Sequence, residues 1–256
     1  MLQPLGLFFP NELSWGWKGY IGLLAVSAVW ALYMARPRRL VKHTLPPSDI
    51  SIAIRVGDVL TQEGNIVIGC NDVFDTQFDD DIISRASVQG QLLLQVFNGN
   101  RAELDRQIAQ SLSGVTGEHD PTKDFGKTTR YDIGTVAIVR QGRSRFFLTA
   151  FTTMSSTLPA NVSSTIEGLQ VSLARTWKAI AAAGQREPVH MPIVGSNLAR
   201  LGLSRTLLAQ MILLSFIAAE TRGRVASNLT LYVSPDDWEI VDMAVLDDWL
   251  RGLCAR

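Results

Sequence analysis

Asp58 and Asn71 each stand at the end of an apolar, strand-like stretch, and a third strand-like stretch runs into the small, glycine-punctuated segment PIVGSNLARLGLS at residues 192–204. A carboxylate held in a Gly57-Asp58 turn can accept a hydrogen bond from an exocyclic amine such as that of adenine, and an Asn71 amide can hold a ribose hydroxyl. Free backbone amides where a loop enters a helix suit a diphosphate. Residues 56–86 (VGDVLTQEGNIVIGCNDVFDTQFDDDIISRA) pack both polar groups, a short apolar strand at 65–69 and an acidic helix start at Asp79, Asp80 and Asp81 into 31 positions. That is the layout of a nucleotide pocket at the strand ends of an open α/β sheet. Taken singly, Asp58 and Asn71 also read as ordinary turn residues.

Such groups need a sheet and helices to hold them. Strands are expected at 50–56, 65–69, 189–194 and 228–233, with a hairpin of 134–139 and 145–151 around Gln141-Gly142. Helices are expected over 80–97, broken near Gly90, and over 100–112 behind an Asn cap. Others are expected over 161–183, over 204–221 behind Ser204, and over 236–250 behind two aspartates. This alternation predicts an α/β fold. The apolar 207–219 stretch, bracketed by Arg205 and Arg222, reads as a buried core helix. Residues 113–132, polar with three glycines and no periodicity, predict a long loop that is a lid or disordered.

The formal charge of zero hides an asymmetry. Arg36, Arg38, Arg39 and Lys42 put four positive charges in seven positions, whereas residues 43–256 hold 19 basic and 23 acidic residues. A mildly acidic body carries no electrostatic footprint for nucleic acid. Two cysteines and three scattered histidines give no metal-ligand spacing and a thin basis for a disulfide, which fits a reducing setting. No metal site and no catalytic residue is assigned. His190 sits on a strand facing the core, so nothing completes a Ser/His/Asp triad.

Residues 1–42 read as a membrane anchor. Residues 19–35 are 17 positions without a charge, about 25 Å as a helix. With Lys18 snorkelling, the expected span covers about residues 16–35. Trp15, Trp17 and Tyr20 at one end and Trp30 and Tyr33 at the other suit interfacial belts. The basic flank then places the C-terminal part in the cytoplasm, a single-pass topology. Residues 43–49, with Pro46-Pro47, read as a stiff linker, and 50–256 as the domain.

The order and spacing of the polar groups resemble the macro domain, the ADP-ribose-binding α/β/α module. In that family a strand ends in Gly-Asp-Ile, a second runs into Asn-Ala-Ala-Asn, a glycine-rich loop leads to Asp-Gly-Ala-Ile-His-Arg-Ala, and a late Pro-x-Ile-Gly-x-Gly loop precedes a helix. Here Gly57-Asp58-Val59 matches the first element and Ile68-Gly69-Cys70-Asn71 the second, with Ile68 in place of the first Asn. Asp80-Asp81-Ile82-Ile83-Ser84-Arg85-Ala86 matches the third and Pro192-Ile193-Val194-Gly195-Ser196-Asn197 the last.

The resemblance implies a three-layer α/β/α mixed sheet over residues 50 to about 250, preceded here by a transmembrane helix, and a bound ADP-ribose or ADP-ribose conjugate with no separate cofactor. It places Asp58 at the adenine and Asn71 at the distal ribose. Phe74, Asp75, Thr76 and Gln77 would line the first loop. Gly195, Ser196, Asn197, Leu198, Ala199, Arg200, Leu201 and Gly202 would wrap the diphosphate, and Val59, Cys70, Asp80 and Val194 would be further ligand-binding residues. The family's glycine run is replaced by bulkier, acidic residues 73–79, so the distal end of the pocket is expected to differ.

Residues 70–76 (CNDVFDT), the acidic residues after them and Ile82-Ile83-Ser84 look more like one branch, the divergent macro domain of membrane-type Thoeris antiphage effectors. That resemblance implies an inner-membrane sensor. A TIR-domain partner would make an ADP-ribose-derived second messenger from NAD, and its binding would drive homo-oligomeric assembly on membrane lipid and membrane disruption. The alternative is a membrane-tethered hydrolase or reader of ADP-ribosylated proteins. The missing open glycine loop, and a helix start that already accounts for Asp79–Asp81, favour the receptor.

Overall fold

A computed structural model describes residues 16–34, 38–46, 49–78, 82–194 and 202–254. The chain divides into two units, Met1–Arg38 and Arg39–Arg256. In the first, helix α1 (Gly16–Met34) carries consecutive apolar residues around its circumference, and Ile21, Leu24, Val26, Val29 and Trp30 are exposed. Among the described residues no helix is long and apolar enough to cross a membrane. The expected span over about residues 16–35 finds no support there, and its last position lies outside the described residues.

The second unit opens earlier than the composition suggested. The first three residues of the expected linker, with Leu40, Val41 and Lys42 before them, form strand β1 (Leu40–Leu45) antiparallel to β2 (Ile50–Val56). Its alternation buries Val41 and Leu45. Strand β3 (Asn65–Asn71) leads to a short helix α2 (Val88–Gln91) that continues as a π turn over Leu92–Val96. Helix α3 (Arg101–Ser111), the two-residue strands β4 (Glu118–His119) and β5 (Thr129–Arg130), and the long strands β6 (Val136–Gln141) and β7 (Ser144–Met154) follow. The chain then runs through β8 (Val162–Ser163), α4 (Ile166–Ala183), β9 (Val189–Pro192), α5 (Arg205–Glu220), β10 (Asn228–Val233) and α6 (Met243–Cys254).

The main sheet runs β1-β2-β10-β9-β3-β7-β6, with β8 pairing off β7. From β2 to β7 all neighbours are parallel, and β1 and β6 close the edges antiparallel. Alternation sorts the side chains into two cores. Val67, Phe147 and Phe151 join α4, α5 and α6 on one face, where Trp177 donates to Ser215 Oγ at 2.9 Å and packs edge-on to Phe216. Ile66, Ile68, Phe146 and Leu148 join α2 and α3 on the other. This is the expected mixed α/β arrangement of helices on both faces of a mixed sheet.

Several boundaries move for identifiable reasons. The expected 80–97 helix begins only at Val88, where Ser87 Oγ accepts from Gly90 N at 3.0 Å. Gly90 does not break it: a Cβ there would lie 2.4 Å from Ser84 O, so the glycine admits the incoming chain. The expected 161–183 helix begins at Ile166 behind Thr165, and the last begins at Met243, where Asp242 Oδ1 accepts from Ala244 N and Val245 N. Residues 113–132 are not a plain loop. Besides the β4–β5 pair they bury Lys123, whose ammonium lies 3.6 Å from Asp75 Oδ2 and 3.8 Å from the Phe125 ring centroid. Burial pushes that ammonium's pKa down, against the pull of Asp75.

Candidate functional site

The parallel strands all end on one side, and there a cleft of about 650 Å³ opens, within the range of nucleotide-sized pockets. The ends of β2, β3, β7, β9 and β10 contribute Gly57, Asn71, Thr152, Pro192 and Val233, and the start of α5 contributes Arg205. Gly69 also lines the cleft, and a Cβ there would stand in ordinary van der Waals contact with Val194 Cγ1 at 3.4 Å and Phe151 at 3.5 Å.

Asp58 lines the cleft where Gly57 N donates to Val233 O at 3.0 Å, which docks the turn after β2 against the end of β10. Its Oδ1 accepts from Leu60 N at 2.8 Å and caps the 3₁₀ turn Val59–Thr61. The side chain is exposed, and Oδ2 makes no hydrogen bond among the described residues, so it is the oxygen open to a ligand donor. Val59 lies beneath, buried in the α2–α3 core.

Asn71 is set by an irregularity. The β3–β7 register pairs Cys70 with Ala150 but Asn71 with Thr152, a bulge that re-aims the side chain at the strand's end. Its Oδ1 accepts from Val73 N at 3.2 Å and Asp75 N at 3.1 Å. With the oxygen committed to the loop, the amide nitrogen is the remaining donor, and no described residue accepts from it. Cys70, also in the lining, has its thiol pushed up to about 12 by burial, partly offset by Lys127. At neutral pH it is a neutral thiol without nucleophilic character.

The first loop departs from expectation. Phe74, Asp75, Thr76 and Gln77 turn away from the cleft. Phe74 has φ 51°, buries its ring in the α2–α3 core and packs edge-on to Tyr131. Asp75 is fully buried: Oδ1 accepts from Thr76 N and Gln77 N, and Oδ2 from Lys127 N at 2.9 Å. Thr76 Oγ1 donates to Asp105 at 2.6 Å. Where a glycine run would leave an open loop, these side chains make a buried plug that carries the loop's polarity inward. The cleft wall on this side comes instead from Ile82, Ser84, Ser87, Gln89 and Gln91, with Gln89 Nε2 donating to Asp75 O at 2.6 Å.

Val194 lines the cleft, whereas Gly202, at φ 70°, is described outside its lining. Gly195, Ser196, Asn197, Leu198, Ala199, Arg200 and Leu201, like Asp80, lie outside the described residues. The loop delivers helix α5, whose Ser204 Oγ accepts from Leu207 N at 3.2 Å. The wall formed by Tyr232, Ser234, Pro235, Asp236, Asp237 and Val241, together with Arg205, was not foreseen. The aspartates before Trp238 carried a signal, but it read as a helix cap. His190 is remote from chemistry: burial pushes its pKa down against a hydrogen bond to the Glu63 backbone, and it lies near the opposite end of β9. Among the described residues no group of His, Cys, Asp or Glu could hold a metal ion.

Solved structures share this fold. The Oceanobacillus iheyensis macrodomain with ADP matches with a TM-score of 0.55 at 14% identity, covering 83% of this chain and 97% of that one. The same macrodomain with MES bound matches with a TM-score of 0.56 at 14% identity, covering 83% and 98%. That likeness defines the class by fold: a macro domain. The family model described as "Thoeris protein ThsA, Macro domain" matches residues 52–234, so the chain belongs to that family. The Thoeris protein ThsA of Bacillus amyloliquefaciens (strain Y2) is 26% identical over 218 residues, covering 82% of this chain and 71% of that protein.

Proposed function

We propose that the cleft binds an ADP-ribose-derived nucleotide, and that this binding switches a membrane-associated antiphage effector from a resting to an assembled state. One observation carries the reading: in a chain of the ThsA macro-domain family, a carboxylate acceptor at Asp58 and an amide donor at Asn71 line one cleft at the ends of parallel strands. Asp58 Oδ2 takes the adenine amine and Asn71 Nδ2 a ribose hydroxyl. The diphosphate lies beside Val194 and the amides that open α5.

In this reading the ligand is a second messenger made from NAD by a TIR-domain partner. Residues 1–42 tether the chain to the inner membrane with the macro domain in the cytoplasm. The uncharged run, its flanking aromatics, the basic cluster and the exposed apolar side chains of α1 support that tether. The assembly is a homo-oligomer, and it binds the messenger more tightly than the resting state does, because equal affinity shifts nothing.

The test is a thermal-shift series on the purified full chain with ADP-ribose and ADP-ribose conjugates, followed by chromatography of the recovered ligand. A receptor is stabilised and returns its ligand intact. Turnover of a conjugate establishes the hydrolase instead, and the absence of any shift with every derivative removes the ligand reading.

A further inference from the structure

Arg205 is the one cation among the described residues of the cleft lining. It occupies the first position of α5, where unpaired amides and the helix dipole already favour an anion. Its side chain is only 14% exposed, and Nη1 is held 3.0 Å from Asp237 Oδ2. Asp237 also lines the cleft, on the connection between β10 and α6. A guanidinium has five donors in a fixed fork, and its nearest approach to this carboxylate is through Nη1. The next residue fixes the helix end: Asp242 N donates to Thr206 Oγ1 at 3.0 Å. Arg205 is thus anchored by the backbone, buried along its stem, and paired with a counter-ion that solvent reaches.

From this geometry we propose that Arg205 contacts the ligand and takes the negative charge of its phosphate, with Asp237 as the resting counter-ion. The inference rests on the nucleotide reading above and adds to it a residue that sets specificity for the phosphate rather than for the base. An ion pair whose carboxylate is 30% exposed is weak. A phosphate offers more acceptor oxygens and a larger charge in the same fork, so it competes well for the guanidinium. Asp237 then has two effects. It keeps the empty cleft from holding an uncompensated cation, and it sets a threshold that weakly charged ligands do not cross.

Calorimetry on the full chain with two probes, ADP-ribose and adenosine, tests this. In Arg205→Gln, affinity for ADP-ribose falls about tenfold or more while affinity for adenosine changes less than about twofold. In Asp237→Asn, which frees the guanidinium, affinity for ADP-ribose rises about two- to fivefold. Parallel losses for both probes in Arg205→Gln mark Arg205 as a brace and overturn the proposal. So does a fall in ADP-ribose affinity in Asp237→Asn, a variant that keeps Arg205 and so decides the matter even if Arg205→Gln fails to fold. If the wild-type chain binds neither probe, the nucleotide reading fails first and this inference with it.

Discussion

Asn71→Ala tests the central geometry without any ligand. Asn71 Oδ1 accepts from Val73 N and Asp75 N, both buried. Alanine leaves those two amides without an acceptor, at about 1–3 kcal/mol each, so the variant should lose about 2–5 kcal/mol of unfolding free energy. Asn71→Asp separates the loop from the ligand, because a carboxylate oxygen accepts from the same two amides while the donor nitrogen is gone. Its stability should stay within about 1 kcal/mol of wild type. The assay is urea unfolding followed by tryptophan fluorescence and circular dichroism, with the slope checked for constancy. ADP-ribose affinity should fall in both variants. A cost under about 1 kcal/mol for Asn71→Ala, or equal costs for the two substitutions, would refute the assignment of Oδ1 to the loop.

Three further outcomes follow from the packing. Gly126 has φ 57°, and a Cβ there would sit 1.8 Å from Asp75 Oδ2, so Gly126→Ala should cost about 2 kcal/mol or more, read as a lowered denaturation midpoint. The Cys70 thiol, raised from 9.0 to about 12, should resist alkylation in the native state at pH 8. Its contribution to stability is complete below pH 9 and lost as pH climbs from 9 towards 12, where the unfolded chain ionises first; Cys70→Ala should flatten that part of the curve in pH-dependent unfolding. A chain starting at Arg39 should fold cooperatively, whereas one starting at residue 46 loses the burial of Val41 and Leu45 and the His43 Nε2–Asp247 Oδ1 contact of 2.7 Å. That cut should cost about 3 kcal/mol or more, measured against the chain starting at Arg39.

Where a residue's neighbours in sequence are also its neighbours in space, the chain announced the structure. The β6–β7 hairpin, the Asn100 cap of α3, the Ser204 cap of α5 and strand β10 all follow from local periodicity and turn chemistry. Asp58, Asn71 and Val194 were placed in the cleft for the same reason, since each ends or follows a strand. The first loop is not legible in the sequence because its polarity is satisfied from far away: Asp75 meets Lys123 and Lys127 across some fifty positions, and no local pattern records that. Strand β1 reads as part of an anchor and a linker because three of its six residues are polar, which is what an edge strand with one buried face looks like. Arg205 and Asp237 carry no signal of a site in the sequence because a basic bracket and an acidic turn are each commonplace, and only the fold puts them 3.0 Å apart.

The strand order has a consequence for the chain while it is being made. Strand β10, synthesised after every other described strand, enters between β2 and β9 and is parallel to both. Until it does, Asp58 and Asn71 stand on two fragments of sheet that no other described strand joins. A nascent chain that ends before residue 228 therefore carries both polar groups and no cleft. Contacts this distant in sequence form late, so competence for a ligand arrives only once the segment through β10 has been made, and a ribosome-bound fragment that stops short of it lacks the strand that joins the two halves.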